Sequence, residues 1–292
     1  MPVERFTDGL EPLDLEAPIW RFMRFEFFKD LITTRQLYFA RADRFDDSQE
    51  GLPPEEYIHA LGLNPYALDD IHERDSHIGS IACWRRDMYL CCWYLFQQET
   101  ASMWSQFALD GGVAICSRYN LLKAVLEPVP YRPHLGLVRY GAGQLTTWNT
   151  IRFISTKRRK YEREREVRAM LWVTPWEGES NNRHYDINNV PHQEPVYGTL
   201  NPCGYRPTVD LSTLVAGIVV SPYAPPERLE EVSALLRSNG YSCPVERSSL
   251  NSETILIPTE EDLKRFGLVV EPQRRKHDAQ CENIPPARVL GL

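Results

Sequence analysis

The sequence has no long hydrophobic run. Its longest uninterrupted apolar stretch is the nine residues Met88 to Phe96, well short of the roughly 20 that a membrane-spanning helix needs. The opening MPVERFTDGLEPLDLE carries acids and no apolar signal region. Both absences lead to the expectation of a cytoplasmic protein with no membrane partner. Basic charge is not in excess either: the formal net charge is -7 over 292 residues, which disfavours wholesale binding of duplex nucleic acid. No two cysteines stand at Cys-x-x-Cys spacing, so a structural zinc site is not expected. The seven cysteines are an odd number; Cys83, Cys91, Cys92 and Cys116 stand in apolar text and read as buried small hydrophobes in a reducing compartment. Neither GxGxxG nor GxxxxGKS/T is present, which excludes the usual glycine-rich phosphate loops. The serine-hydrolase elbow GxSxG is missing too, and no repeat of 20–50 residues suggests a solenoid.

What is there is ordinary globular text, 42% hydrophobic and 25% charged. Ile19 to Arg24 reads as a strand, followed by a short helix through Phe27, Phe28, Leu31 and Ile32, and then a strand at Gln36–Ala40. The polar loop 41–51 holds Asp43, Asp46, Asp47 and Glu50 without EF-hand spacing, so a turn is expected rather than a calcium site. Residues 53–76 look helical in pieces; His72 and His77, five apart, do not share a helical face and read as surface histidines. Met88–Phe96 is apolar enough for a strand buried on both faces. A helix at 99–108, a strand at 113–116, a helix at 119–126 and a strand at 135–140 follow. Residues 175–207 are rich in Asn, Pro, Gly and His (His184 and His192 among them) and read as an irregular insertion. Leu214–Ser221 reads as a buried strand, Pro226–Ser238 as a helix with Leu229, Val232, Leu235 and Leu236 at helical spacing, and Thr254–Ile257 as a last short strand. Mixed elements without strict alternation predict an α+β fold, with a mixed, mainly antiparallel sheet core and short helices around it. The expected organisation is an N-terminal extension (1–17), one domain (18–270) and a weakly ordered tail (271–292).

The stretch Thr156–Trp172, TKRRKYEREREVRAMLW, stands out. As a helix it pairs Glu164 with Arg168 at i, i+4 but sets Glu162 against Glu166. As a strand it aligns Glu164, Glu166, Arg168, Met170 and Trp172 on one face. A frayed helix passing into a strand near Glu164 reconciles the two readings. A solvated charged helix is the plainer alternative.

Several pieces together resemble the bacterial family catalogued as domain of unknown function 2971. They are Trp20-Arg21-Phe22-Met23-Arg24, Leu37-Tyr38-Phe39-Ala40, Arg44-Phe45-Asp46-Asp47, Met103-Trp104-Ser105-Gln106-Phe107-Ala108, Gly112-Val113-Ala114-Ile115, and the spaced set Lys157, Tyr161, Glu164, Glu166, Arg168. The resemblance covers roughly residues 18 to 240. It departs from the family at Asp46-Asp47-Ser48, where Asn-Asp-Pro is usual.

Two carboxylates two residues apart on a strand lie about 7 Å apart along the chain. Crowding is expected to raise the pKa of one of them, and Arg168 to hold the other ionised or grip a phosphate. Such a set suits glycosidic cleavage through a sugar cation. The arrangement is also similar to that of ADP-ribosyltransferases. That similarity implies NAD as co-substrate, Glu166 as catalytic glutamate, Glu164 steering a protein or nucleic-acid acceptor, Arg21 or Arg24 holding the phosphates and Tyr38 stacking on nicotinamide. No metal is expected on this reading. A nucleic-acid-directed protein, metal-dependent nuclease or binding module, is the alternative, supported by Lys157-Arg158-Arg159-Lys160, Arg274-Arg275-Lys276 and many aromatic residues. A non-catalytic sensor or scaffold, with the acids and Arg168 forming only an ion-pair network, is a third.

Overall fold

A computed structural model describes residues 12, 14–45, 47, 51–52, 85, 87–129, 131, 133–141, 150–172 and 204–250, with the backbone of 4–5 and 198–200. All belong to a unit spanning 1–252; a second unit, 253–292, falls outside the described residues. The histidines of 72–77 and 184–192, Asp46, Glu50, the strand expected at 254–257 and the C-terminal tail lie outside them as well.

The fold is α+β. Strands in chain order are β1 (Glu4–Arg5), β2 (Pro18–Met23), β3 (Phe39–Arg41), β4 (Met88–Leu95), β5 (Val113–Arg118), β6 (His134–Leu137), β7 (Arg139–Tyr140), β8 (Thr156–Lys157), β9 (Glu166–Trp172), β10 (Gly198–Leu200), β11 (Gly204–Pro207), β12 (Gly217–Val220) and β13 (Val245–Arg247). The helices, numbered in turn, are α1 (Phe25–Thr34), α2 (Ala101–Phe107), α3 (Tyr119–Leu126), α4 (Thr150–Ile154), α5 (Leu211–Leu214) and α6 (Arg228–Ser238). The large sheet runs β1-β6-β9-β4-β2-β5-β12-β13, and a branch β3-β11-β10 leaves it at β4. Pairing is antiparallel except at β1–β6 and β12–β13, and in the separate β7–β8 ladder.

The branch comes from β4 having two partners along one edge. Tyr89 and Leu90 pair with Arg41 and Ala40 of β3, while Tyr94 and Leu95 pair with Trp20 and Ile19 of β2. Cys91, Cys92 and Trp93 have no ladder partner on that side among the described residues. The other edge of β4 is paired with β9 from Met88↔Trp172 to Tyr94↔Glu166.

Register assigns the faces. Ile19, Arg21 and Met23 share one face with Cys91, Trp93, Val113, Ile115, Val167, Ala169 and Leu171. That face carries the main core, closed by Phe28, Leu31 and Ile32 of α1, Leu122 and Leu126 of α3, and Val232 and Leu236 of α6. The opposite face is covered in two patches. Met103 and Trp104 of α2 pack with Phe22, Tyr94 and Ala114; Ile154 of α4 packs with Met88, Leu90 and Met170. Between them, at Tyr94–Glu166 and Cys92–Arg168, the sheet is polar.

Local sequence explains most of these elements. Thr100 caps α2 by accepting from the Met103 amide. Asp110-Gly111-Gly112 then ends that segment: Gly111 has φ +82, and a Cβ on Gly112 would stand 2.1 Å from the Met23 carbonyl oxygen, so glycine permits β5 to start against β2. Two expectations change. The strand expected at 214–221 is present but shorter, β12 at Gly217–Val220, and it is preceded by a short helix that was not expected, α5, because Asp210 accepts from the Ser212 and Thr213 amides and starts a turn. The stretch 175–207 ends in the hairpin β10–β11, which pairs onto β3 and narrows the irregular part. No described helix is long and apolar enough to cross a membrane.

Candidate functional site

The charged stretch folds as a 3-10 helix, Arg159–Glu164, followed by β9. The joint is Arg165, a non-glycine residue with φ 45. Glu164 is therefore not on the strand, and the carboxylates of Glu164 and Glu166 are not held apart by strand spacing. They converge instead: the Lys157 ammonium donates to Glu164 Oε2 at 2.8 Å and to Glu166 Oε2 at 2.8 Å. Lys157 reaches them because β8 pairs with β7 (Tyr140↔Lys157) and lies beside the start of β9.

Arg168 completes the cluster from below. Its Nε donates to Glu166 Oε1 at 2.6 Å, and its NH1 donates to the Ile154 carbonyl. That carbonyl ends α4, where backbone oxygens lack helical partners and carry partial negative charge, so a guanidinium is well placed there. The neighbouring position on β6 is Gly136, which has no side chain to compete for the space. The Glu166 amide donates to the Tyr140 hydroxyl at 2.7 Å.

Among the described residues, two cations and two anions thus balance in a nearly dry place. Arg168 is 0% exposed and Glu166 1%, whereas the side chains of Lys157 and Glu164 each retain 11%. The expected rise in carboxylate pKa does not occur at Glu166. Burial acts to raise it, but Arg168 and Lys157 together outweigh burial and hold the carboxyl at about 2. Glu166 is a permanent anion at neutral pH. Burial pushes the neighbouring Tyr94 and Tyr140 hydroxyls upward, so both stay protonated.

The remaining site residues lie elsewhere. Arg21 is on the other face of the sheet, in the fork at β4, donating to Cys91 Sγ at 2.9 Å and to the Tyr38 carbonyl at 3.0 Å, with its guanidinium 5.9 Å from the Trp93 ring centre. Burial keeps the Cys91 thiol protonated despite that guanidinium. Arg24 is exposed and 3.4 Å from Asp110, beyond the far end of β2. Tyr38 lies under the Arg206 guanidinium at 5.2 Å. Arg21, Arg24 and Tyr38 therefore do not gather around Glu164 and Glu166. Lys157, read in the sequence as part of a basic run and of the spaced set with Glu164, Glu166 and Arg168 but given no role at the site, is the residue that does. The two described acids of the 41–51 loop pair with arginine: Asp43 with Arg41 at 2.7 Å and Asp47 with Arg158 at 2.7 Å. Among the described residues no three His, Cys, Asp or Glu side chains come together as metal ligands. A scan against protein-family models, a search of curated proteins and a search of solved structures each find no match to this chain.

Proposed function

We propose that the protein is a carboxylate-based glycosyl-transfer enzyme acting on NAD, of ADP-ribosyltransferase or NAD-glycohydrolase type, in which Glu164 meets the ligand and Glu166 positions it. The observation that carries this reading is the convergence of two carboxylates on one ammonium, with the outer carboxylate reaching solvent and the inner one sealed. A Glu166 carboxyl held at about 2 supports a fixed negative charge behind a developing sugar cation, not a proton donor. In that reaction the bond from the anomeric carbon to the nicotinamide nitrogen breaks and nicotinamide leaves with the bonding pair. Water or an acceptor then adds to the anomeric carbon and gives up its proton. Arg168 has the role of holding Glu166, and Arg21 has none at this site. The resemblance to the domain of unknown function 2971 family is part of the same proposal.

A second reading is favoured by the 1% exposure of Glu166 and its full set of partners: an ion-pair network that only holds α4, β8 and β9 together. Purified protein incubated with NAD and cell lysate, without magnesium, separates the two when free nicotinamide and label transfer are followed. Glu164→Gln is expected to reduce release by about tenfold or more while leaving the unfolding midpoint near that of the wild type. No release by the wild type in any lysate leaves the second reading.

A further inference from the structure

The turn that leads into the cluster has a second property. Lys157 and Glu164 satisfy one another inward, and Arg158 is taken by Asp47. Arg159, Lys160, Arg163 and Arg165 are exposed and make no ion pair with any described residue. One acid, Glu162, shares their surface. Four unneutralised cations within seven residues are a local reversal of sign on a chain whose net charge is -7. Unpaired like charges packed this closely repel one another and are relieved by an anion from outside. The Tyr161 ring holds part of the cluster together, with the Lys157 and Lys160 ammoniums 4.9 and 4.7 Å from its centre and the Arg158 guanidinium 5.7 Å away.

We infer that this turn is a docking site for the phosphodiester backbone of a single-stranded nucleic acid. From residue 159 to residue 165 the chain advances about 12 Å at the 3-10 rise. Cations spread over that length match a row of phosphates and exceed what one phosphate or pyrophosphate group could occupy. The Tyr161 ring is engaged by cations, which leaves no free aromatic platform for base stacking on this turn. Recognition is therefore of backbone charge, without sequence preference. A duplex, with one charge per roughly 1.7 Å of axis, meets more repulsion from the acidic remainder of the protein than a single strand does. The site is independent of any reaction at Glu164, because none of its four cations belongs to the carboxylate cluster.

The test is fluorescence anisotropy of the whole protein with labelled 12-nucleotide single strands of differing sequence, over a salt series and without NAD. Four phosphate contacts predict a slope of log affinity on log salt of about -3, falling to about -1.4 in Arg163→Gln/Arg165→Gln, with affinity lower by about tenfold or more. Both side chains point to solvent and serve no other described contact, so the variant is expected to fold; circular dichroism checks this. Strands of differing sequence should bind within about threefold of one another. An unchanged slope in the variant overturns the assignment, as does wild-type binding to phosphatidylserine vesicles or to a 12-base-pair duplex in preference to the single strand. Absence of wild-type binding to any strand overturns it too.

Discussion

Arg168 and Arg21 stand on strands at opposite edges of β4, yet they face opposite sides of the sheet and live by different rules. Arg168 is fully buried and has a carboxylate at 2.6 Å, a helix-terminal carbonyl and a dry surrounding. Arg21 is half-buried and makes do with a thiol, a peptide carbonyl and an indole face. The difference follows from solvation. A guanidinium removed from water needs a full countercharge, and the countercharge then needs its own partners, which recruits Lys157 and through it Glu164. A guanidinium that keeps some water can be held by dipoles and polarisable groups. One arginine therefore organises a network that balances two cations and two anions among the described residues, and the other pins two strands.

Replacing each arginine by methionine makes this contrast quantitative. Arg168→Met strands Glu166 in the interior with only Lys157 against it and should cost about 3–5 kcal/mol in urea unfolding. Glu166→Met/Arg168→Met should recover part of that loss, since no uncompensated charge remains. If the double variant is worse than the single, the network is not limited by charge balance. The next largest effect is on acid stability. The Glu166 carboxyl is lowered to about 2 in the fold, so its contribution is fully present above the unfolded value near 4.3 and disappears as pH falls through about 2. That contribution is about 3 kcal/mol. Unfolding free energies measured from pH 5 to pH 2 should fall steeply in the wild type, and Glu166→Gln should flatten the fall. The smallest effect belongs to Arg21→Met, expected at about 1 kcal/mol. A loss as large as that for Arg168 would show that the fork needs its cation and would end the contrast.

Much of the fold could be read in the chain. The helix at 119–126 matches the residues read for it, and the strand at 88–95 falls short of its expected end by only Phe96. Local periodicity and continuous apolar text decide those elements. What could not be read is which residues face one another. Arg21 and Glu166 come to opposite faces because Trp20, not Arg21, stands opposite Tyr94. A shift of one residue would have reversed every side chain of β2, and nothing local to TrpArgPheMetArg distinguishes the two registers. The contact of Lys157 with both carboxylates was equally hidden. Its importance comes from the β7–β8 pairing, made with residues some 17 positions away. The helix α5 did carry a signal, Asp210 two and three residues before Ser212 and Thr213, and the apolar run after it forms β12, shorter than the strand read there. The approach of Glu164 to Glu166 depends on the left-handed turn at Arg165, a conformation that an arginine in a charged run does not announce.

The fork gives β4 an unusual share of the architecture. Two wings, β2-β5-β12-β13 and β3-β11-β10, hang from the same edge of one strand. A continuous sheet spreads any twisting load over a long ladder of bonds. Here the ladder is interrupted between the wings at Cys91, Cys92 and Trp93, which have no ladder partner on that edge among the described residues, and the Arg21 bridge from Cys91 to Tyr38 spans the gap. In mechanical terms the strand is a mast with two sails, and the Arg21 bridge is one of its stays. That unpaired stretch of edge lies back to back with the dry charge cluster, which meets the reverse of the strand at Cys92 and Tyr94.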